Sequence, residues 1–284
     1  MGAWDGDEQQ LTAIGTPERT LLTREEAHRP GVPKTQVRVI SVTSGKGGVG
    51  KSNLVINLAA LYAKAGRKVL VLDADLGLAN LDVLLGLAPR YTLQHVLEGE
   101  REMGEIIVPG PGGSSIIPAA SGIEELTRLS PEDRTTVLEE ISSFASTYDL
   151  LLLDTSAGIS SNVVFFNLMA DDVLVVLTPE PTSMTDAYAV IKVLSLRHAR
   201  HSFILVINCV KSAAEAAEIF KRLQAVTNRF LDVKLTYAGH VVLDERVVQA
   251  VCAQRPVTEL FPQSAASRCF QNVARSLNRL ALEM

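Results

Sequence analysis

Gly45-Lys46-Gly47-Gly48-Val49-Gly50-Lys51-Ser52 sets four glycines, two lysines and a hydroxyl within eight positions. Glycines at such spacing let successive backbone N–H groups turn inward around phosphate oxygens. A helix starting where the loop ends adds partial positive charge at the same point. The spacing fits G-x-x-x-x-G-K-[ST], in which Lys51 reaches the β- and γ-phosphates and the Ser52 hydroxyl ligates Mg2+. Asn53 follows directly and belongs to the same nucleotide-binding segment. Lys46 is not required by an ordinary phosphate loop. A side chain near the start of the loop points away from its own site, and can reach a nucleotide held by a second subunit across a two-fold axis.

Acids come next. Asp73-Ala74-Asp75-Leu76-Gly77-Leu78-Ala79-Asn80-Leu81-Asp82 follows a strand-like run. Carboxylates at the C-terminal end of a strand face the ligand crevice of an open α/β sheet. Asp75 is assigned to orienting the attacking water, since phosphoryl transfer needs positioning more than strong basicity, and Asp73 to supporting the Mg2+ shell. Leu150-Leu151-Leu152-Leu153-Asp154 reads as a buried strand whose terminal acid holds Mg2+ through water. Thr155-Ser156-Ala157-Gly158 then reads as a γ-phosphate-sensing switch, with Gly158 able to approach the phosphate closely. Asn208, at the end of a further strand, can pair with an adenine edge or simply close a turn. Glu180 and Asp186, from their position alone, are acids at a helix start.

The elements that must hold these groups are legible as alternating short β-branched runs and helical stretches. Strands are expected at 37–42, 68–72, 115–118, 150–153, 173–177, 204–207 and 237–242. Helices are expected at 52–64, 132–146, 161–170, 184–198, 213–229 and 244–253. Near-continuous apolar strands separated by helices require a parallel sheet covered on both faces, a doubly wound α/β fold. No internal repeat interrupts it, so residues 37–284 read as one domain. Residues 1–36, with Pro30, Gly31 and Pro33 and no sustained periodicity, read as a flexible arm or as a partner-binding segment anchored by Trp4.

Composition bounds the function. Lys and Arg number 27 against 32 Asp and Glu, a formal charge of −5, with 47% apolar residues. That apolar content excludes intrinsic disorder for most of the chain, and no apolar run approaches the ~18–20 residues of a bilayer span. The first ten residues are acidic rather than a basic and apolar leader. Cys209, Cys252 and Cys269 are too far apart for a CxxC knuckle or a disulfide framework, as in a reducing cytoplasm. A mildly acidic chain without a Lys/Arg run is a poor general binder of nucleic acid, which argues against a DNA-coating partition ATPase. The cysteine placement argues against an iron–sulfur carrier. An ATP-dependent ligase would have no need of Lys46.

The loop with its extra lysine, KGGVGKS, resembles the deviant-Walker P-loop ATPases of the MinD/ParA class, of SIMIBI type. In that class the first lysine, here Lys46, touches phosphates in the facing subunit of an ATP-sandwich homodimer. By the same resemblance Asn208 reads adenine, Glu180 reaches the ribose across the dimer, and Asp186 holds Lys46 in the monomer. The phrases SGKGGVGKSN, DADLGLANLDVLLGL, IIPAASG, PEPTSMTDAYAVIK and RFLDV are similar to the FlhG (FleN) family of flagellar-number regulators. That resemblance implies a slow, Mg2+-dependent ATPase, cytoplasmic or peripheral at the inner face of the membrane. Its implied partners are an FlhF-type GTPase, a flagellar transcription activator and the membrane. Asp7-Glu8-Gln9-Gln10-Leu11 is only a loose echo of the DQAxxLR-like element by which many members stimulate the GTPase. The last helical pattern sets Phe270, Val273, Ala274, Leu277, Leu280 and Ala281 on one face, with Arg268, Arg275 and Arg279 among its polar residues. That face fits either a core helix or a weak lipid contact.

Overall fold

The computed structural model describes residues 37–77, 79–119 and 129–282. Expectations about Trp4, the 7–11 segment and part of the IIPAASG phrase fall outside these residues. The chain alternates strands and helices in the order β1 (Arg38–Ser44), α1 (Lys51–Lys64), β2 (Val69–Ala74), α2 (Leu81–Leu85), α3 (Leu93–Leu97), α4 (Met103–Ile106), β3 (Val108–Pro109) and β4 (Ser115–Ile117). It continues with α5 (Pro131–Ala145), β5 (Leu150–Ala157), α6 (Ser161–Met169), β6 (Asp172–Leu177), α7 (Pro181–His198), β7 (Ser202–Val210), α8 (Ala213–Phe230) and β8 (Lys234–Val242). It closes with α9 (Glu245–Cys252), α10 (Val257–Leu260) and α11 (Ala265–Leu282).

The strands form one sheet in the order β3-β4-β2-β5-β1-β6-β7-β8, parallel except for the β3–β4 pair. Successive side chains of a strand point to opposite faces, so an uninterrupted apolar run serves two cores. Leu150 and Leu152 join Ile40, Val42, Val69 and Val71 on the face covered by α1, α10 and α11. Leu151 and Leu153 join Leu70 and Leu72 under α5 and Phe166 of α6. Val173, Val175 and Leu177 pack beneath α7 and α8. Burying a Leu or Val side chain contributes about 1.5–3 kcal/mol, so this layering is the main source of fold stability.

Several helix starts are written locally. Ser130, Ser160 and Ser212 accept hydrogen bonds from Asp133, Val163 and Glu215 N–H groups, and Asp244 accepts from Arg246. Arg38 ties β1 to β6 through an ion pair and to the last helix through a hydrogen bond. Arg38 donates from Nε to Asp172 at 2.8 Å and from Nη1 to the Leu277 carbonyl at 2.8 Å.

The last helix takes the first of its two readings. Phe270, Val273, Ala274 and Leu277 are buried, and Leu280 packs against the same core, while Arg268, Arg275 and Arg279 point outward. The apolar face packs on β8 and α1, so α11 is a core helix here, and laying that face on lipid would mean unpacking it. Among the described residues no helix is long and apolar enough to cross a membrane.

Candidate functional site

β1 delivers the loop to the C-terminal edge of the sheet, and α1 leaves from its far end. The turn into the helix is made by Gly50, whose φ of 94° an L side chain rarely adopts. A Cβ there would also sit 2.3 Å from Asn208 Nδ2, and one on Gly45 would lie 2.2 Å from the Asp186 main chain. The loop is therefore clamped between β7 and the start of α7. Asn208 completes the clamp by donating from Nδ2 to the Val49 carbonyl at 2.7 Å, while its Oδ1 accepts from Cys209 N–H at 2.9 Å. The amide expected to read adenine thus shapes the phosphate loop in this state. Asn53 sits in the first turn of α1, its carbonyl accepting from Asn57 Nδ2 at 2.7 Å.

The two lysines of the loop go different ways. Lys51 is 9% exposed, and its Nζ donates to Ser44 Oγ at 3.1 Å. Burial lowers its pKa, opposed by the charges of Asp154 and Asp75, so a cation is held under strain where phosphate charge would relieve it. Lys46 is 39% exposed and turns out of its own site, ion-paired with Glu180 and 3.3 Å from Thr182 Oγ1. The partner is Glu180 rather than Asp186, which meets the loop through its main chain.

Two carboxylates face each other where β2 and β5 pair, since Asp73 is opposite Asp154 in the register. Both are 2% exposed. Asp73 accepts from the N–H groups of Asp75 (3.2 Å), Asn80 (3.2 Å) and Leu81 (3.1 Å). Both its oxygens are thereby spent on folding the segment that carries Asp75. Burial, and then the Asp154 charge, push its pKa well above the usual carboxylate range despite those hydrogen bonds. Burial pushes Asp154 up to about 7, against the opposing effects of the Ser52 hydroxyl bond and the Lys51 charge.

Asp154 Oδ1 is buried with no hydrogen-bond partner. A buried orphan carboxylate oxygen beside a serine hydroxyl is a hard-oxygen donor set of the kind Mg2+ takes, generally with waters and phosphate oxygens completing the octahedron. The residues therefore fit the metal: Ser52 and Asp154 would hold it, and Asp73 behind them clamps the acidic segment. Among the described residues no cluster of three or more His, Cys, Asp or Glu offers an all-protein cage. Such a cage is not what a metal shared with phosphates needs.

The segment expected to act as a switch, Thr155 to Gly158, begins inside β5 rather than after it. Thr155 Oγ1 donates to the Val42 carbonyl at 3.1 Å, and Gly158 N–H donates to the Ser44 carbonyl at 2.8 Å. Two participants were not anticipated from the sequence, Ser44 and Thr182. Ser44 carried a readable signal, because Ser41, Thr43 and Ser44 set three hydroxyls into the β-branched run that follows Arg38.

Comparisons with known proteins place the chain in a family. Residues 37–228 match a family profile described as an AAA domain. The chain is 48% identical over 242 residues to the antiactivator FleN of Pseudomonas aeruginosa, covering 85% of this chain and 86% of that protein. It is 35% identical to the flagellum site-determining protein YlxH of Helicobacter pylori, covering 85% and 82%. Among solved structures, the septum site-determining protein MinD of Pyrococcus horikoshii, complexed with Mg-ADP, superimposes with a TM-score of 0.70. It has 27% sequence identity and covers 87% of this chain and 98% of that one.

Proposed function

Because this chain belongs to the MinD/ParA family of P-loop ATPases, within its FleN/FlhG flagellar regulators, we propose that it works as an ATP-switched monomer–dimer device. It is an ATPase that uses ATP and Mg2+, and it acts in the control of flagellar number and placement. In the proposed cycle Lys51 and the loop N–H groups bind the phosphates of the chain's own nucleotide. Ser52 and Asp154 hold Mg2+, which neutralises charge developing on the transferred phosphoryl group. Asp75 orients the attacking water, and Asn208 turns from the loop to the base. Lys46 leaves Glu180 and crosses to the facing subunit's nucleotide, freeing Glu180 to cross in the other direction.

The observation that carries this reading is the contrast between the lysines, one buried among carboxylates and one aimed out of the site. A lysine serving only its own phosphates would not be found paired outside them. The test is sedimentation with Mg2+ and ATP: wild type shifts to dimer, and Lys46→Ala binds ATP but remains monomeric. A Lys46→Ala dimer as tight as wild type would sink the scheme. For partners, the relative named an antiactivator supports a transcription activator, and an FlhF-type GTPase is the second proposed partner. Residues 1–36 are proposed as a separate partner-binding arm, since the family match begins at residue 37.

A further inference from the structure

Ser44 is fully buried at the last position of β1, and three functional parts meet on it. Its hydroxyl accepts from Lys51 Nζ at 3.1 Å and donates to the Lys46 carbonyl at 2.7 Å. Its own carbonyl accepts from Gly158 N–H at 2.8 Å, next to the point where Ser44 pairs with Ala157. One residue therefore touches the lysine that binds the chain's own phosphates, the peptide of the lysine proposed to leave it, and the switch glycine.

A hydroxyl has a single donor, and a hydrogen bond it accepts from a cation polarises the one it donates. While Lys51 rests on Ser44, the chain from ammonium to hydroxyl to carbonyl is strengthened, and the Lys46–Gly47 peptide is held. When phosphate draws the Lys51 ammonium away, the hydroxyl loses that polarisation and its hold on the Lys46 carbonyl weakens. The peptide can then rotate, which re-aims the Lys46 side chain away from Glu180.

We propose that Ser44 is a positioning residue that couples phosphate capture by Lys51 to release of Lys46, an inference that rests on the ATP-switched dimer reading above. It contributes little to holding the nucleotide, which the loop N–H groups and Lys51 do directly. Its loss is expressed in the step that needs both subunits.

The experiment uses the full chain in wild-type, Ser44→Ala, Ser44→Cys and Ser44→Thr forms. ATP affinity is read with a fluorescent ATP analogue, and dimerisation is read both with Mg2+ and ATP and without nucleotide. Ser44→Cys fills the same space with a poor hydrogen-bonding group, and Ser44→Thr restores the hydroxyl. The expected result is ATP affinity within threefold of wild type for all three. Without the hydroxyl Lys46 is no longer held back, so the ratio of dimer affinity with ATP to that without nucleotide falls at least tenfold in the Ala and Cys forms and recovers to within threefold in the Thr form. Ala or Cys variants whose dimerisation depends on ATP as strongly as that of wild type would overturn the proposal. So would losses of ATP affinity and dimerisation in parallel with a lowered thermal midpoint that Thr does not repair. Wild type run alongside separates the two readings: if it stays monomeric with ATP the dimer switch fails, whereas a defect confined to the variants bears on Ser44.

Discussion

Asp154→Asn is expected to stabilise the nucleotide-free protein while disabling the enzyme. Burial raises the Asp154 carboxyl from its ordinary 3.8 to about 7 in the folded chain. At pH 8 the folded state therefore holds an ionised group that is about 4 kcal/mol easier to ionise in the unfolded chain. Asparagine removes the charge and keeps an acceptor for Ser52, but its amide N–H bonds must also be desolvated, which returns roughly 1–3 kcal/mol. The net gain is about 2 kcal/mol, or roughly 4–8 °C in thermal midpoint for a domain of this size. The sign with pH follows from proton binding. Between pH 4 and 7 the folded carboxyl keeps its proton and the unfolded one has lost it, so wild-type stability falls as pH rises through that window. The advantage of Asn should accordingly be largest at pH 8 and should fade toward pH 5. Mg2+ and ATP reverse the order, since a ligand at a hundred times its Kd adds about 2.7 kcal/mol to wild type and little to a variant lacking the metal-holding oxygen. Thermal melts at pH 5 and 8, with and without Mg2+ and ATP, read all four states. An Asn variant less stable than wild type at pH 8 without nucleotide or Mg2+ would refute the reasoning.

Two further outcomes follow from packing. Gly45→Ala forces a Cβ within 2.2 Å of the Asp186 main chain, whereas a Cβ on Gly47 meets nothing within 4 Å. The first should cost about 1–3 kcal/mol by thermal melt and abolish nucleotide binding; the second should leave the midpoint of the apo-protein within about 1 °C. Arg38→Ala leaves Asp172 buried without its cation and uncaps the Leu277 carbonyl. It should lower stability in urea by about 3–5 kcal/mol without touching the phosphate loop.

The sheet and its helices were readable because strands such as 150–153 and 173–177 are apolar at every position, and only a strand buried on both faces needs that. The small pieces between β2 and α5 were not readable. Helices of four or five residues such as α2, α3 and α4 are too short to show a period, and β3 is two residues including Pro109 on an antiparallel edge. Of the site, the residue types and their order along the chain were visible. Their pairings were not, because these depend on which strands become neighbours. Asp73 and Asp154 are 81 residues apart in number and opposite in register. Likewise Glu180 caps α7 and Asp186 lies in its second turn, and only the packing of that helix on Gly45 decides which of them meets Lys46.

That dependence has a physical consequence for how the site works. The parallel register sets Asp73 of β2 opposite Asp154 of β5, with Asp154 opposite Val42 two residues before Ser44 at the end of β1, and the surrounding packing buries all three polar groups. Burial then raises both carboxyls and lowers Lys51, so the resting site stores like-signed strain in its acids and a desolvation penalty in its base. A metal cation relieves the first and a phosphate anion relieves the second. Neither relief is complete without the other, because a cation beside Lys51 and an anion beside Asp154 each meet like charge. The arrangement therefore favours the metal–nucleotide pair over either ion alone, which is the selectivity a switch responding to Mg2+-ATP requires.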